Sequence, residues 1–263
     1  MAEARRHRAV ELGLPATIRA CLFDLDGVLT STAELHAQAW KACFDRYLAR
    51  RAEQVGVAFR PFDLVSDYDA YVDGKPRLDG ARSFLRSRGI DLPEGSSTDP
   101  EDAETLWAIA NAKTALVESL IAEQGVRPYP GSARFLQAVV AAGLKTAVVS
   151  SSANAAAVLS AAGLATAFEV VVDGRDIARR HLAGKPAPDT FLAAAADLRV
   201  TPGQAAVFED SQAGVAAGRA GHFGLVVGVD RSGQADALRA AGADLVVADL
   251  TELLEPRSQQ VPE

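Results

Sequence analysis

The second half of the chain alternates short apolar runs with stretches of helical pattern. The apolar runs after residue 130 are KTAVVS (145–150), FEVVVD (168–173), AAVFED (205–210), GLVVGV (224–229) and ADLVV (243–247). Each interval is long enough for a helix, and apolar strands that alternate with helices are typical of a parallel sheet covered by helices on both faces. The pattern therefore predicts an α/β fold with a parallel sheet.

A further apolar run, IRACLF (18–23), is followed at once by two aspartates, Asp24 and Asp26. At positions i and i+2 of an extended segment both carboxylates point the same way. Like charges that close repel each other unless a cation or a shared proton relieves them. A D-x-D-G sequence also fits an Asx turn that ends a strand, and from this segment alone the two interpretations are equally good.

A helical region separates this first strand from the others. Residues 34–48 carry apolar side chains at a period of 3.6, and further helices are predicted around residues 80–88 and 100–123. The predicted boundaries are residues 1–17 for an N-terminal arm, 18–32 and 128–254 for the sheet domain, 33–127 for an inserted helical domain, and 255–263 for a flexible tail.

Polar side chains recur where the predicted strands end. They are Asp24, Asp26, Ser150, Glu209 and Asp210. In open α/β sheets, ligands bind beyond the carboxyl ends of the strands. This repeated placement favours a functional site over a set of isolated turns.

These residues suit phosphoryl transfer, which needs a metal, donors for the phosphate oxygens and a positioned nucleophile. Asp24, Asp210 and Glu209 offer the hard oxygen ligands that Mg²⁺ prefers. The segment SSSA (150–153) is predicted to open a helix and so to bind an anion. Lys185 could add a fixed positive charge; an ordinary surface lysine is the alternative, but the chain has only five lysines against 22 arginines.

Composition excludes several function classes. The 263 residues carry a net charge of −7 without a basic stripe, which argues against nucleic acid as a partner. No apolar run is long enough to span a bilayer, and no signal peptide is evident. Two cysteines indicate a reducing cytosol and no disulfide framework. We expect a cytoplasmic protein without a membrane partner, and we expect a monomer.

Four segments together resemble the signature motifs of the haloacid dehalogenase superfamily of phosphotransferases: DLDGVLT, VVSSS, the lysine of GKPAPDTF, and VFEDSQAG. The resemblance implies a Rossmann-like parallel sheet core with an inserted helical cap that closes over the site. It assigns Asp24 as nucleophile and Asp26 as acid/base, with Ser150, Ser151 and Lys185 on the transferred phosphate. It also implies Mg²⁺ held by Asp24, Glu209, Asp210 and the Asp26 carbonyl.

Within that superfamily, TAELHAQAWK (32–41) resembles the β-phosphoglucomutase group. The resemblance implies a hinge at Thr32 and a coupling of cap closure to the acid/base by His36. The phosphate that is not transferred would be bound by Arg77, Ser152 and Asn154. A helix-surface histidine and a solvated arginine are the alternatives for His36 and Arg77. The chain departs from the group at Ser31 and Ala153, where aspartate and lysine are common, and in a longer cap between Tyr47 and Arg77.

Three functions are compatible with these motifs. The first is a mutase that converts β-glucose 1-phosphate into glucose 6-phosphate through a bound 1,6-bisphosphate. The second is a phosphatase of small sugar phosphates, which uses the same core but admits water. The third is a catalytically silent binding domain, which the intact pair Asp24 and Asp26 disfavours.

Overall fold

The computed structural model describes residues 9–255, and its centre is a six-stranded parallel sheet. The strands are β1 (Ala20–Phe23), β2 (Lys145–Val149), β3 (Val170–Val172), β4 (Ala205–Glu209), β5 (Leu225–Val229) and β6 (Leu245–Val247). Their order across the sheet is β3-β2-β1-β4-β5-β6, and every neighbouring pair is parallel. The predicted α/β class and parallel sheet are confirmed.

The chain divides into two compact units. The sheet unit comprises Met1–Thr30 and Arg127–Glu263, and the helical unit comprises Ser31–Val126. The basic start of the predicted arm (Arg5, Arg6, His7, Arg8) and the tail from Pro256 lie outside the described residues.

The helical unit consists of Ala33–Val55, Ser66–Tyr71, Arg77–Ser87 and Leu106–Gln124, packed around an aromatic core. In that core Phe44 stacks on Trp40 with ring centroids 4.9 Å apart and contacts Phe84 at 4.3 Å. The first helix extends seven residues beyond its predicted end, to Val55, and is capped by Gly56, whose φ of 70° suits glycine. The helix predicted from residue 100 begins later, where the Thr105 side chain caps the amide of Ala108.

The helices of the sheet unit are Pro130–Ala141, Ala155–Ala161, Gly174–Arg180, Asp189–Asp197, Gln212–Ala220 and Ala235–Ala241. The sequence did not predict Gly174–Arg180, which Asp173 and Asp176 initiate with a capping box. Under the carboxyl edge of the sheet, Phe23 of β1 stacks on Phe208 of β4 with centroids 4.7 Å apart. This buried pair fixes the ends of the two central strands relative to each other.

The described part of the predicted N-terminal arm packs onto the sheet unit. Ala9, Leu12 and Leu14 are buried. Gly13 has a φ of 66°, and a side chain there would place its Cβ 2.6 Å from the carbonyl oxygen of Leu253. The residues from Ala9 onward are therefore part of the folded unit.

Among the residues that the structure describes, no helix combines the length and the apolar character needed to cross a membrane.

Candidate active site

The candidate site lies at the carboxyl ends of β1 and β4, where the strand order reverses. Crevices of open α/β sheets form at such switch points. Asp24 directly follows β1, and its amide donates to the carbonyl of Phe208 in β4 at 2.9 Å. Glu209 ends β4 and Asp210 follows it, so the two central strands bring these three carboxylates to one edge of the sheet.

The ammonium group of Lys185 lies among these acidic residues. It donates to Asp24 Oδ1 at 2.6 Å, to the carbonyl of Val149 at 3.1 Å, and to Glu209 Oε1. The Lys185 side chain is 1% exposed, so it is not a surface lysine. The ring centroid of Phe191 lies 5.0 Å from the ammonium nitrogen of Lys185, so an aromatic ring packs against the charged group.

Both carboxylate oxygens of Glu209 are engaged by protein donors. Oε1 accepts from Lys185, while Oε2 accepts from the amide of Ser211 at 3.0 Å and from its hydroxyl at 2.9 Å. Gly214 leaves room for this carboxylate, because a Cβ there would lie 1.9 Å from it. These contacts suit the positioning of Lys185, whereas the sequence suggested a metal ligand.

The site holds more negative than positive charge. Burial raises the pKa of Asp24 well above its ordinary value; Lys185 opposes this shift, and the neighbouring Glu209 and Asp26 reinforce it. Burial alone would lower the pKa of Lys185, but the carboxylates of Asp24 and Glu209 outweigh it and hold that pKa above its ordinary value. Lys185 is therefore charged, and it does not balance all the carboxylates around it.

The turn after β1 brings Asp26 and Asp210 into the same region. Gly27 has a φ of 97°, and a Cβ on it would lie 1.7 Å from Asp210 Oδ2, so only glycine allows Asp210 to approach the turn. The half-buried Asp26 accepts a hydrogen bond at 3.3 Å from the hydroxyl of Ser150, which follows β2. The structure thus brings together the predicted sheet-unit residues Asp24, Asp26, Ser150, Lys185, Glu209 and Asp210.

The segment after Ser150 is a loop rather than the start of a helix. The helix begins at Ala155, so the prediction that SSSA (150–153) opens it is wrong. Instead, the amide of Ser152 donates to Ser150 Oγ at 3.0 Å, and the amide of Asn154 donates to Ser152 Oγ at 3.2 Å. Serine hydroxyls compete well for nearby amides in loops, which explains the short bends.

The donor set at the carboxyl edge fits a hard divalent cation. Asp24, Asp210 and the carbonyl of Asp26 are oxygen donors, and a cation would oppose the burial and the neighbouring carboxylates that raise the pKa of Asp24. Within residues 9–255, no three carboxylate, imidazole or thiol groups form a ready-made metal cluster. A site with few carboxylates is typical of Mg²⁺, which keeps several waters and substrate oxygens as ligands.

In the helical unit, His36 is buried beside Lys113. Lys113 Nζ lies 2.8 Å from His36 Nδ1 and 5.2 Å from the centroid of Trp40. Because an ammonium group can only donate, Nδ1 accepts and the ring proton of a neutral His36 is on Nε2. His36 is thus a fixed, buried histidine, and its amide donates to the carbonyl of Thr32, the predicted hinge, at 3.0 Å.

Arg77 begins the helix Arg77–Ser87 and is half-buried. Its guanidinium lies 5.1 Å from the ring centroid of Trp107 and donates to Thr114 Oγ1 at 3.3 Å. Burial lowers the pKa of Arg77 from its ordinary value, with Glu118 opposing. The side chain is therefore held in place, and it is not a freely solvated charge.

The sequence did not identify two further residues, Lys113 beside His36 and Arg231 beside the turn after β1. Lys113 carried a signal, since lysine is scarce in this chain, but its position within a predicted helix gave no sign of a buried partner. Arg231, one of 22 arginines, carried no signal; its side chain donates to the carbonyl of Gly27 in the turn after β1 at 3.1 Å.

Comparison with known proteins places this constellation in a family. The family of haloacid dehalogenase-like hydrolases matches residues 18–222. The chain belongs to this family. The resemblance suggested by the four motifs is thereby confirmed, together with the HAD-like core.

Several individual proteins are similar to this chain over most of its length. The chain is 57% identical to the beta-phosphoglucomutase of Mycobacterium tuberculosis over 250 residues, which cover 94% of this chain and 95% of that protein. It is 36% identical to the beta-phosphoglucomutase of Bacillus subtilis over 248 residues, 92% of this chain and 96% of that one. The crystal structure of beta-phosphoglucomutase from Clostridium difficile matches with a TM-score of 0.69 at 28% identity, covering 90% of this chain and 93% of that chain.

Proposed function

We propose that the protein is a β-phosphoglucomutase, which converts β-glucose 1-phosphate into glucose 6-phosphate through a bound 1,6-bisphosphate. The observation that carries the proposal is the position of Lys185, which joins the carboxylates of Asp24 and Glu209 at the carboxyl edge of the sheet. The 57% identity to a protein named beta-phosphoglucomutase supports the choice of substrate.

In this proposal Asp24 is the nucleophile. Its carboxylate oxygen attacks the phosphorus of the bisphosphate, and the bond from phosphorus to the sugar oxygen breaks. Asp26 donates a proton to that leaving oxygen, and an aspartyl phosphate forms on Asp24. When the hydroxyl of a sugar monophosphate attacks the phosphorus of the aspartyl phosphate, Asp26 accepts the hydroxyl proton, and both carboxylates return to their starting states.

The remaining residues of the sheet unit bind and orient the phosphate. Lys185 supplies a buried positive charge, and Ser150 and Ser151 supply hydroxyl donors for the oxygens of the transferred group. Glu209 fixes Lys185 in place, as its two engaged oxygens suggest. Preorganised donors of this kind stabilise the charge that develops in the transition state without having to reorganise.

We propose Mg²⁺ as the cofactor, held by the carboxylates of Asp24 and Asp210 and the carbonyl of Asp26. When bound, the ion neutralises the phosphate and the excess acidic charge near Asp24. Glu209 would contribute indirectly, through its hold on Lys185 and on the amide of Ser211.

A mutase also needs groups that bind the second phosphate. We propose Arg77 for this role, with Ser152 and Asn154, because a guanidinium pairs with phosphate oxygens through two parallel hydrogen bonds. We propose that His36, held by Lys113, presents its Nε2 proton as a donor and takes part in closure about Thr32. We further propose that the enzyme is a monomer in the cytoplasm.

The second candidate is a phosphatase of small sugar phosphates. The shared core chemistry is compatible with it, since water in place of a sugar hydroxyl would discharge the aspartyl phosphate. The decisive experiment incubates the protein with Mg²⁺ and β- or α-glucose 1-phosphate, with and without the 1,6-bisphosphate, and follows glucose 6-phosphate and free phosphate separately. Glucose 6-phosphate from the β-anomer alone supports the mutase. Free phosphate released in stoichiometric amounts, without glucose 6-phosphate, would show that the protein is a phosphatase and not a mutase.

A further inference from the structure

The segment that follows β5, Asp230–Gln234, contacts the turn that carries Asp26. Nε of Arg231 donates to the carbonyl of Gly27 at 3.1 Å, and Nη2 lies 3.5 Å from the carbonyl of Val28. Nη2 also donates to the hydroxyl of Ser132 at 3.1 Å, and this hydroxyl donates to the carbonyl of Val28 at 2.6 Å. One guanidinium therefore reaches two consecutive carbonyls of the turn.

Arg231 is itself anchored on the other side. Nη1 donates to the carbonyl of Ala248 at 3.0 Å and lies 3.5 Å from Asp249 Oδ2. The guanidinium also stacks on Tyr129, 3.9 Å from the ring centroid. Lysine could not reproduce this arrangement, because it lacks the planar fork that stacks and donates in several fixed directions at once.

The backbone around Arg231 is held as well. Oδ1 of Asp230 accepts from the amides of Gly233 at 2.7 Å and Gln234 at 2.8 Å, which closes the segment on itself. Nε2 of Gln234 donates to the carbonyl of Asp210 at 3.2 Å. The same five residues thus contact the Gly27 turn and the end of β4, the two places from which the acidic side chains of the site project.

We propose that Arg231 is a positioning residue for Asp26, a role that rests on the proposed function of Asp26 as acid/base. The carbonyl of Gly27 is one peptide unit from Asp26, and the turn is closed by the amide of Gly27, which donates to the carbonyl of Thr30 at 2.8 Å. By holding the carbonyls of Gly27 and Val28, Arg231 sets the position of the Asp26 backbone and hence of its carboxyl group. Proton transfer is sensitive to such placement, and a shift of about 1 Å can cost about a hundredfold in rate.

Two phosphoryl donors with different leaving groups distinguish a positioning role of Arg231 from a purely structural one. A sugar hydroxyl is a poor leaving group and needs the proton that Asp26 donates, whereas acetate leaves from acetyl phosphate without a proton. Phosphorylation of Asp24 by acetyl phosphate therefore depends on the nucleophile and its surroundings but little on Asp26. Loss of the Arg231 contacts should affect the sugar phosphate reaction selectively.

The experiment compares Arg231→Met and Arg231→Lys with the wild-type protein. For each, single-turnover phosphorylation of Asp24 is measured with glucose 1,6-bisphosphate and with acetyl phosphate, alongside thermal unfolding. We expect Arg231→Met to slow transfer from the bisphosphate about ten- to a hundredfold and transfer from acetyl phosphate by less than about threefold. The lysine variant should lie between the methionine variant and the wild type, since it keeps the charge without the fork.

A matched control is Arg239→Met, because Arg239 is exposed and pairs only locally with Asp236 three residues before it. It should leave both rates unchanged. Should Arg231→Met fail to fold, Ser132→Ala removes one partner of Arg231 and should show the same selectivity more weakly. Equal losses with both donors in a folded variant would overturn the positioning role. A wild-type protein that accepts acetyl phosphate but not the bisphosphate would instead refute the proposed function.

Discussion

The ammonium nitrogen of Lys185 lies 2.6 Å from Oδ1 of Asp24, although the two residues are 161 positions apart in the chain. The same ammonium also contacts Glu209, and all three side chains are buried. Charge pairs with this little solvent contact are strongly interdependent, because each charge left alone carries a large desolvation penalty. The same three side chains are therefore needed both for the proposed chemistry and for the stability of the sheet unit.

Replacement of the nucleophile is the simplest test of that cluster. Asp24→Asn keeps the shape of the side chain but removes the attacking charge, so turnover should fall by several orders of magnitude. The measurement is glucose 6-phosphate formation at saturating substrate, with circular dichroism to confirm folding. A folded variant with more than roughly a tenth of the wild-type rate, a loss below about 1.4 kcal/mol, would exclude Asp24 as nucleophile.

Removal of the ammonium should destabilise the protein as well as inactivate it. Lys185→Met leaves Asp24 and Glu209 buried without their counter-charge, and we expect a loss of about 3–5 kcal/mol in the free energy of unfolding. Adding Glu209→Gln removes one of these charges, so the double variant should recover part of the stability but none of the activity. Urea denaturation measures the free energy of unfolding of both variants, and glucose 6-phosphate formation measures their activity. A double variant no more stable than Lys185→Met would show that Glu209 does not serve to balance Lys185.

Asp210 tests the proposed metal site. Asp210→Asn keeps the packing against Gly27 but weakens a charged oxygen ligand, so the Mg²⁺ concentration for half-maximal activity should rise at least about tenfold. The wild-type enzyme should lose activity in EDTA and regain it when Mg²⁺ is restored. Direct Mg²⁺ titration by calorimetry provides a readout independent of turnover. Full wild-type activity in EDTA would remove the metal from the mechanism.

Arg77 separates the mutase from the phosphatase. Arg77→Ala should lower glucose 6-phosphate formation about ten- to a hundredfold, which is the usual effect of losing a charge-assisted hydrogen bond. Acetyl phosphate should still phosphorylate Asp24 in this variant. Arg86→Ala is the matched control, since Arg86 is in the same helix but is exposed and pairs with Asp91. If the two alanine variants behave alike in both assays, Arg77 does not bind a phosphate.

The cysteines provide a prediction about pH. Burial raises the pKa of Cys43 to about 11, with Arg46 and Lys113 opposing, and burial raises that of Cys21 still further above its ordinary value. At pH 8 the thiolate of Cys43 is thus a fraction of about one in a thousand. The native protein should not react with a thiol reagent at pH 8, and two thiols should react in urea. Rapid labelling of the folded protein would contradict the burial of these side chains.

The sequence predicted the sheet and its acidic edge because both depend on local signals. An apolar run such as IRACLF predicts a buried strand, and aspartates directly after it must lie at the strand end. The role of Glu209 could not be predicted in this way, since its two oxygens are engaged by Lys185, far along the chain, and by Ser211 beside it. The loop at residues 150–154 was missed because serine hydroxyls satisfy amides that a helix would otherwise use.

The helical unit was predicted less well, for a related reason. Its core is a cluster of aromatic side chains, including Phe62, from a segment between helices whose sequence has no clear period. Likewise, a lysine within a helix is ordinarily solvated, and only the fold shows that Lys113 lies against His36. Tertiary contacts determined these features, and no window of sequence contains them.

The uneven burial of the five lysines has a practical consequence. Lys113 and Lys185 are buried, whereas Lys41, Lys75 and Lys145 are partly exposed. Among the lysines, amine-directed coupling, as used to attach enzymes to solid supports or dyes, should thus modify the last three and spare the ammonium groups beside His36 and Asp24. The three partly exposed lysines can therefore serve as attachment points that leave the proposed chemistry intact.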